Sequence, residues 1–234
     1  MVAIGSPVTG RIDNVHVERS DLVEAGQALV DLDSSVEVAA VAVAKARAQM
    51  DGQILSREAA AELDQRKKDR AQKLFERNAL SLDLKEEAET QAELGRLELQ
   101  QAREARRLAA LELTQADAML KRRTIRSPVS GVVVDRLMSP GEVVDEETIL
   151  RVAEIDPLRV EVILPSAMYG SIQAGDRAAI TPDVPGDQVH VASVTIVDRV
   201  IDAASGTFAV RLELPNPDHT IPGGLHCQVR FLDE

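Results

Sequence analysis

Apolar positions along the chain repeat with two different periods. Between about Val36 and Arg123 they recur every three to four residues. On either side they alternate in short runs such as Ile12-Asp13-Asn14-Val15-His16-Val17 and Val132-Val133-Val134-Asp135-Arg136-Leu137. The first period predicts amphipathic helix and the second half-buried strand. Proline follows the same division: after Pro7 there is none until Pro128, and eight more lie between Pro140 and Pro222. A proline-free stretch flanked by proline-rich ends predicts a long helical insert between β-rich segments.

The insert is expected to begin after Asp33-Ser34-Ser35, where Ser34 followed by Glu37 has the spacing of a capping box. From Val36 to about Arg77 nearly every residue is a good helix former, which predicts one continuous helix. Asn78-Ala79-Leu80-Ser81 interrupts it, Asp83 with Glu86 offers a second cap, and a second helix runs to about Lys121-Arg122-Arg123. Each helix is ~40 residues, or ~60 Å long, and helices of that length seek a partner. The second shows a seam: Ala88, Ala92, Gly95, Leu99, Ala102, Arg106, Ala109, Leu113, Ala116 and Leu120. A looser seam runs through Val36, Ala40, Val43, Met50, Ile54, Ala61, Ala71 and Leu74 of the first. Small seam residues permit close approach and the short link makes the pair antiparallel, so a coiled-coil hairpin is expected. Leu94, Leu97, Ala105, Leu108 and Leu111 form a second stripe, readable as a wide seam or as a surface for another copy.

The flanking segments resemble each other. Ser6-Pro7-Val8-Thr9-Gly10 recurs at an offset of 121 as Ser127-Pro128-Val129-Ser130-Gly131, and at the same offset Val23 meets Val144 and Leu29 meets Leu150. Gly10, Gly26, Gly131 and Gly141 are expected at the structural turns of the two copies, with Gly26 and Gly141 where φ is positive. Each copy is too short to hold a core, so the two must pair into one small β-sandwich.

The paired half-motifs look like the halves of a biotinyl/lipoyl carrier domain, with the helical insert spliced into the hairpin that joins them. The six lysines fall between Lys45 and Lys121, none at the junction Asp33-Ser34-Ser35, so a carrier role is excluded. A lipoyl-like fold split by a long α-hairpin and followed by a β-domain resembles the periplasmic adaptors, or membrane fusion proteins, of tripartite efflux pumps. The third segment is similar to that family in several places. Pro157-Leu158-Arg159-Val160-Glu161-Val162 looks like its entry strand and Ala174-Gly175-Asp176 like its turn. Thr207-Phe208-Ala209-Val210-Arg211 with Leu214-Pro215-Asn216-Pro217 resembles its strand-and-turn signature, and Ile221-Pro222-Gly223-Gly224-Leu225 its L-x-P-G-M segment. The expected fold is therefore α+β: an elongated modular protein with a lipoyl-like β-sandwich (1–35 with 124–155), split by an antiparallel α-helical coiled-coil hairpin (36–123) and followed by a β-barrel domain (156–234).

At the hairpin turn Arg70, Leu74 and Ser81 match the R-x3-L-x6-S pattern of adaptors that dock on a TolC-like outer-membrane channel. The resemblance implies that these residues meet the channel. A surface arginine, a seam leucine and an N-capping serine are the plainer alternatives. It further implies an inner-membrane transporter, most readily of the RND type, as second partner. Self-assembly into a ring, six copies by resemblance, and a periplasmic location anchored to the inner membrane are implied as well. The family's signal and anchor are missing from this chain, which reads as a soluble fragment or a short member without its anchor. An adaptor for ABC-type secretion and a non-transport coiled-coil scaffold are the rivals.

Composition narrows the field further. The net charge of −12 comes entirely from the flanks, because residues 36–122 hold 16 acidic and 16 basic side chains. That sign argues against nucleic acid as a partner, and four aromatic residues offer no stacking platform. Cys227 is the single cysteine; with His226 it would point to the opposite strand face, a poor chelate, so no metal is expected. No catalytic motif or cofactor fingerprint is present, and the expectation is a non-enzyme without cofactors.

Overall fold

The computed structural model describes residues 1–183 and 189–232. The expected final residue of the barrel segment, Glu234, lies outside them. Two compact units emerge, one of 1–32 with 124–234 and one of 33–123.

In the first unit the 121-residue repeat is visible element by element. The first copy gives β1 (Val2–Gly5), β2 (Gly10–Val15), β3 (Leu22–Val23) and β4 (Ala28–Leu32). The second gives β5 (Thr124–Arg126), β6 (Gly131–Arg136), β7 (Val143–Val144) and β8 (Thr148–Ala153). They form two antiparallel four-stranded sheets, ordered β1-β8-β6-β3 and β5-β4-β2-β7. Replacing each strand by its repeat counterpart converts one order into the other, so each copy contributes two strands to each sheet. The inward residues Ile12, Leu29, Val30, Val133, Val144, Ile149, Leu150 and Val152 then close a single core.

The repeated motifs perform matching tasks. Ser6 donates its hydroxyl to the Val8 carbonyl as Ser127 does to that of Val129. Gly26 and Gly141 have φ of +86° and +95°. Gly10 and Gly131 instead open β2 and β6, opposite Val144 and Val23. A Cβ on Gly131 would lie 2.1 Å from the Ala153 carbonyl oxygen, so close backbone approach is what requires glycine there.

The rest of this unit is a five-stranded antiparallel sheet around its own core. Its strands are β9 (Leu158–Pro165), β10 (Arg177–Pro182), β11 (His190–Val197), β12 (Thr207–Leu214) and β13 (Cys227–Phe231), in the order β13-β10-β11-β12-β9. Alternation along β12 sends Phe208, Val210, Leu212 and Leu214 inward, and Tyr169 meets Phe208 edge to face at 5.3 Å. Buried Asn216 ties this domain to the preceding segment. Its backbone N–H reaches Asp156 Oδ1 at 2.8 Å, and its side-chain amide donates to the Ile155 and Ile221 carbonyls, both at 2.9 Å.

The second unit is a helical hairpin of α1 (Ser35–Ala48), α2 (Gly52–Glu76) and α3 (Leu82–Lys121), with α1 and α2 both packed on α3. The expected single first helix is interrupted at Gln49-Met50-Asp51. α1 ends with Gln49 as its C-cap. Asp51 precedes α2 without a side-chain cap bond, ahead of Gly52, a weak helix former, and its carboxylate pairs with Arg106 on α3 at 3.1 Å. Nor does the capping box close: Ser34 makes no side-chain cap bond, and Glu37 pairs with Arg123 at 2.6 Å.

On α3 the small seam positions Ala92, Gly95 and Ala102 are buried, while Arg106 is exposed and ion-paired. On α1 and α2 the expected seam holds at Ile54, Ala61 and Ala71, while its other buried or half-buried positions are Val41, Ala44, Ala48, Glu58, Asp64 and Lys68. Val36, Ala40, Val43 and Met50 face outward. Polar residues hold several seam positions, which blurs the apolar pattern. Asp64, 8% exposed, fits because Gly95 faces it: a Cβ there would come within 3.3 Å of its Oδ2. Its carboxylate accepts from Lys67 at 2.9 Å and from Gln91 at 3.4 Å.

Two outcomes follow from this packing. Gly131→Ala drives a methyl group into the Ala153 carbonyl and is expected to cost about 1–3 kcal/mol in urea unfolding. The Lys67 ammonium, and then the Gln91 amide, hold the Asp64 carboxyl below its usual range. A depressed folded-state pKa contributes stability above the unfolded-state value, lost as pH falls through the folded-state value. The helical melting midpoint should therefore drop as pH falls below about 4, and Asp64→Asn should shrink that drop, as followed by circular dichroism.

Candidate docking site at the hairpin tip

The turn between α2 and α3 is built by backbone capping. Asn78 stands at φ 53°, the left-handed position that ends a helix. The Ala79 N–H donates to the Leu74 carbonyl and the Asn78 N–H to the Phe75 carbonyl, both at 2.9 Å, the paired bonds of a Schellman motif. Ser81 then caps α3, its hydroxyl accepting from the Leu84 N–H at 3.4 Å, so the cap falls at Ser81 rather than at Asp83. Phe75 turns toward the partner helix, where Lys85 Nζ sits 5.3 Å from its ring centroid.

This arrangement leaves a defined outer surface. Arg70 and Leu74 are one helical turn apart on α2 and share a face. Arg70 is exposed and Leu74 is 38% exposed. Among the described residues the side chains of Arg70, Lys73 and Arg77 enter no hydrogen bond or ion pair. Such cations at a helix C-terminus suit its dipole, and their donors remain free for a partner's carboxylates or carbonyls. Ser81 follows three residues after the left-handed Asn78. Its hydroxyl accepts one intrahelical bond and keeps its own proton to donate.

Two tip residues escaped the sequence reading. Leu82 and Leu84 are 50% and 51% exposed at the start of α3. The signal lay in the seam spacing itself: counting back from Ala88 by three and four reaches Lys85 and Ser81, which strands both leucines outside the seam. The other stripe on α3, Leu94, Leu97, Leu108 and Leu111, is 46–59% exposed, so neither α1 nor α2 covers it.

Elsewhere the titratable groups are dispersed. His16 pairs with Asp31 at 2.7 Å on the sandwich surface. His226 is exposed while its neighbour Cys227 is half-buried, and no three His, Cys, Asp or Glu residues gather as a metal site among the described residues. No helix among them is long and apolar enough to cross a membrane.

Comparison with known proteins gives this architecture a family. Residues 1–154 match the family model of the CzcB-like, barrel-sandwich hybrid domain, and residues 158–234 that of the CusB-like, beta-barrel domain. The chain belongs to the membrane fusion proteins, adaptors that carry out no enzymatic reaction. Among individual relatives, it is 24% identical over 239 residues to the multidrug efflux pump subunit AcrA of Escherichia coli K12, covering 96% of this chain and 57% of AcrA. An uncharacterized Haemophilus influenzae protein is 24% identical over 224 residues, covering 95% of this chain and 52% of that protein. The chain thus spans little more than half the length of the curated relatives it matches. The crystal structure of MacA from Actinobacillus actinomycetemcomitans shares the fold with a TM-score of 0.80 at 23% identity, covering 99% of this chain and 74% of MacA.

The tip geometry carries its own expected outcome. Asn78→Val forces a β-branched residue into the left-handed region and is expected to destabilise the turn by about 1–2 kcal/mol, whereas Asn78→Gly leaves it unchanged or firmer. Amide hydrogen exchange across 74–84 reads both.

Proposed function

We propose that the chain is the adaptor of an efflux system, linking an inner-membrane transporter of the RND type to a TolC-like outer-membrane channel from a periplasmic position. In this reading 1–35 with 124–155 is the lipoyl-like domain, 36–123 the hairpin and 156–234 the barrel. Arg70, Leu74 and Ser81 meet the channel, the exposed leucine stripe of α3 packs against further copies in a ring of six, and the barrel end seats on the transporter. No bond is made or broken by the adaptor; it aligns and seals a conduit. Its location is the periplasmic face of the inner membrane, held by an anchor.

The observation that carries the proposal is the outward presentation of an unpaired arginine and a half-exposed leucine beside a serine-capped turn, on the hairpin of a membrane fusion protein. The similarity to AcrA, a multidrug efflux pump subunit, favours efflux over ABC-type secretion. A purely structural tip needs the Schellman bonds and the serine cap, but it has no use for a free guanidinium and three exposed leucines at the same turn.

The test is photo-crosslinking from position 81 in intact cell envelopes. A crosslink to an outer-membrane channel is expected, and it should disappear when Arg70 and Leu74 are both changed to Asp. Crosslinks confined to the adaptor itself, with the double variant unchanged, would make the hairpin a scaffold and return the three residues to structural roles.

A further inference from the structure

The five-stranded sheet of the C-terminal domain does not close. Its order ends in β13 on one side and β9 on the other, and no ladder joins them among the described residues. Edge strands carry unpaired N–H and C=O groups, and this seam holds a cavity of about 210 Å³. Its apolar wall includes Leu158 and Val160 of β9, Ile180 of β10, Leu214 of β12 and Cys227 of β13, with Ile221 from the segment that runs across the seam. Ile180, Leu214 and Ile221 are buried, so the wall belongs to the domain core.

Size and charge narrow the occupant. An apolar cavity of about 150 Å³ accepts benzene, so this one has room for a single ring with a short substituent. The rim charges are balanced. The lining holds one cation and one carboxylate, Arg159 and Glu161, and Arg159 is bonded to Glu154 at 2.8 Å. Neither an anion nor a cation gains from such a mouth, whereas a hydroxyl can bond to the free strand edges. We propose that the open seam between β9 and β13 binds a neutral, one-ring amphiphile, its ring against the half-buried Leu158, Val160 and Cys227 and its polar end at the mouth. This site is separate from the hairpin tip and stands or falls independently of channel docking.

The chain's single cysteine lies in the cavity wall and reports on it directly. Burial pushes the Cys227 thiol up, so thiol labelling is slow. It is followed at about pH 8.5, where a phenol stays neutral and an alkylammonium stays charged, in the whole protein, with 4-ethylphenol as probe. Saturable protection is expected, about tenfold slower labelling at ten times the dissociation constant. Phenethylammonium and 4-ethylbenzoate, charged analogues of similar size, should protect far less. Val160→Phe fills the cavity. Gly223→Val, at an exposed position whose Cβ would lie 3.9 Å from Leu158 Cδ2, covers it. Each variant that keeps the parent's melting midpoint should lose the dependence on 4-ethylphenol. In the unaltered protein, methyl NMR shifts caused by the probe should centre on Leu158 and Val160. Labelling indifferent to 4-ethylphenol, equal protection by the charged analogues, or methyl shifts scattered over both domains would each overturn the proposal.

Discussion

Neither copy of the N-terminal repeat can bury its own apolar face, and the first unit is organised by that constraint. Four short strands leave Leu29 and Val30, or Leu150 and Val152, open to water unless strands from the other copy cover them. Exchange of two strands each way solves the problem symmetrically, giving two sheets of equivalent order around one core. The solution depends on pairing in space rather than on proximity in sequence. The 91 residues of the helical unit, 33–123, can therefore stand between the copies without disturbing either sheet. Loop-closure cost grows only slowly with length, and here the insert is itself an ordered hairpin.

The hairpin is held by small residues and by a polar element in its seam. Buried Asp64 against Gly95 is a costly arrangement anywhere else in the register, because a shifted α3 would put a side chain where glycine leaves room or strand the carboxylate without Lys67 and Gln91. Ion pairs spaced along the hairpin repeat the same register: Glu37 with Arg123, Asp51 with Arg106, Arg57 with Glu98 and Glu58 with Arg103. Exposed pairs contribute little stability individually; their value lies in agreeing on one alignment. That alignment brings α2 to its end at Asn78 and starts α3 at Ser81, which is why the tip is a tight capped turn with its outer face left open.

Division of labour among the domains follows from these constraints. The hairpin ends in a surface of free cations and exposed leucines, suited to protein contact. The C-terminal sheet ends in two edge strands, β9 and β13, with a cavity of mixed polar and apolar lining between them. Both are places where the fold stops satisfying its own groups.

Much of this was legible in residue order. Proline spacing marked the insert, the Ser-Pro repeat marked the paired halves, and the three-and-four spacing on α3 found its buried positions because Ala92, Gly95 and Ala102 are small and apolar. The first helix was misread where that condition failed. Glu58, Asp64 and Lys68 occupy its seam, so hydrophobicity followed the exposed Val36, Val43 and Met50 instead. The diversion of Glu37 to Arg123 was hidden for a related reason: its partner stands 86 residues away in the chain. Local periodicity and turn chemistry act over a few residues and so determine which elements form. Which strands exchange, which polar groups may be buried and where a sheet fails to close depend on contacts across the chain, and only the tertiary structure decides those.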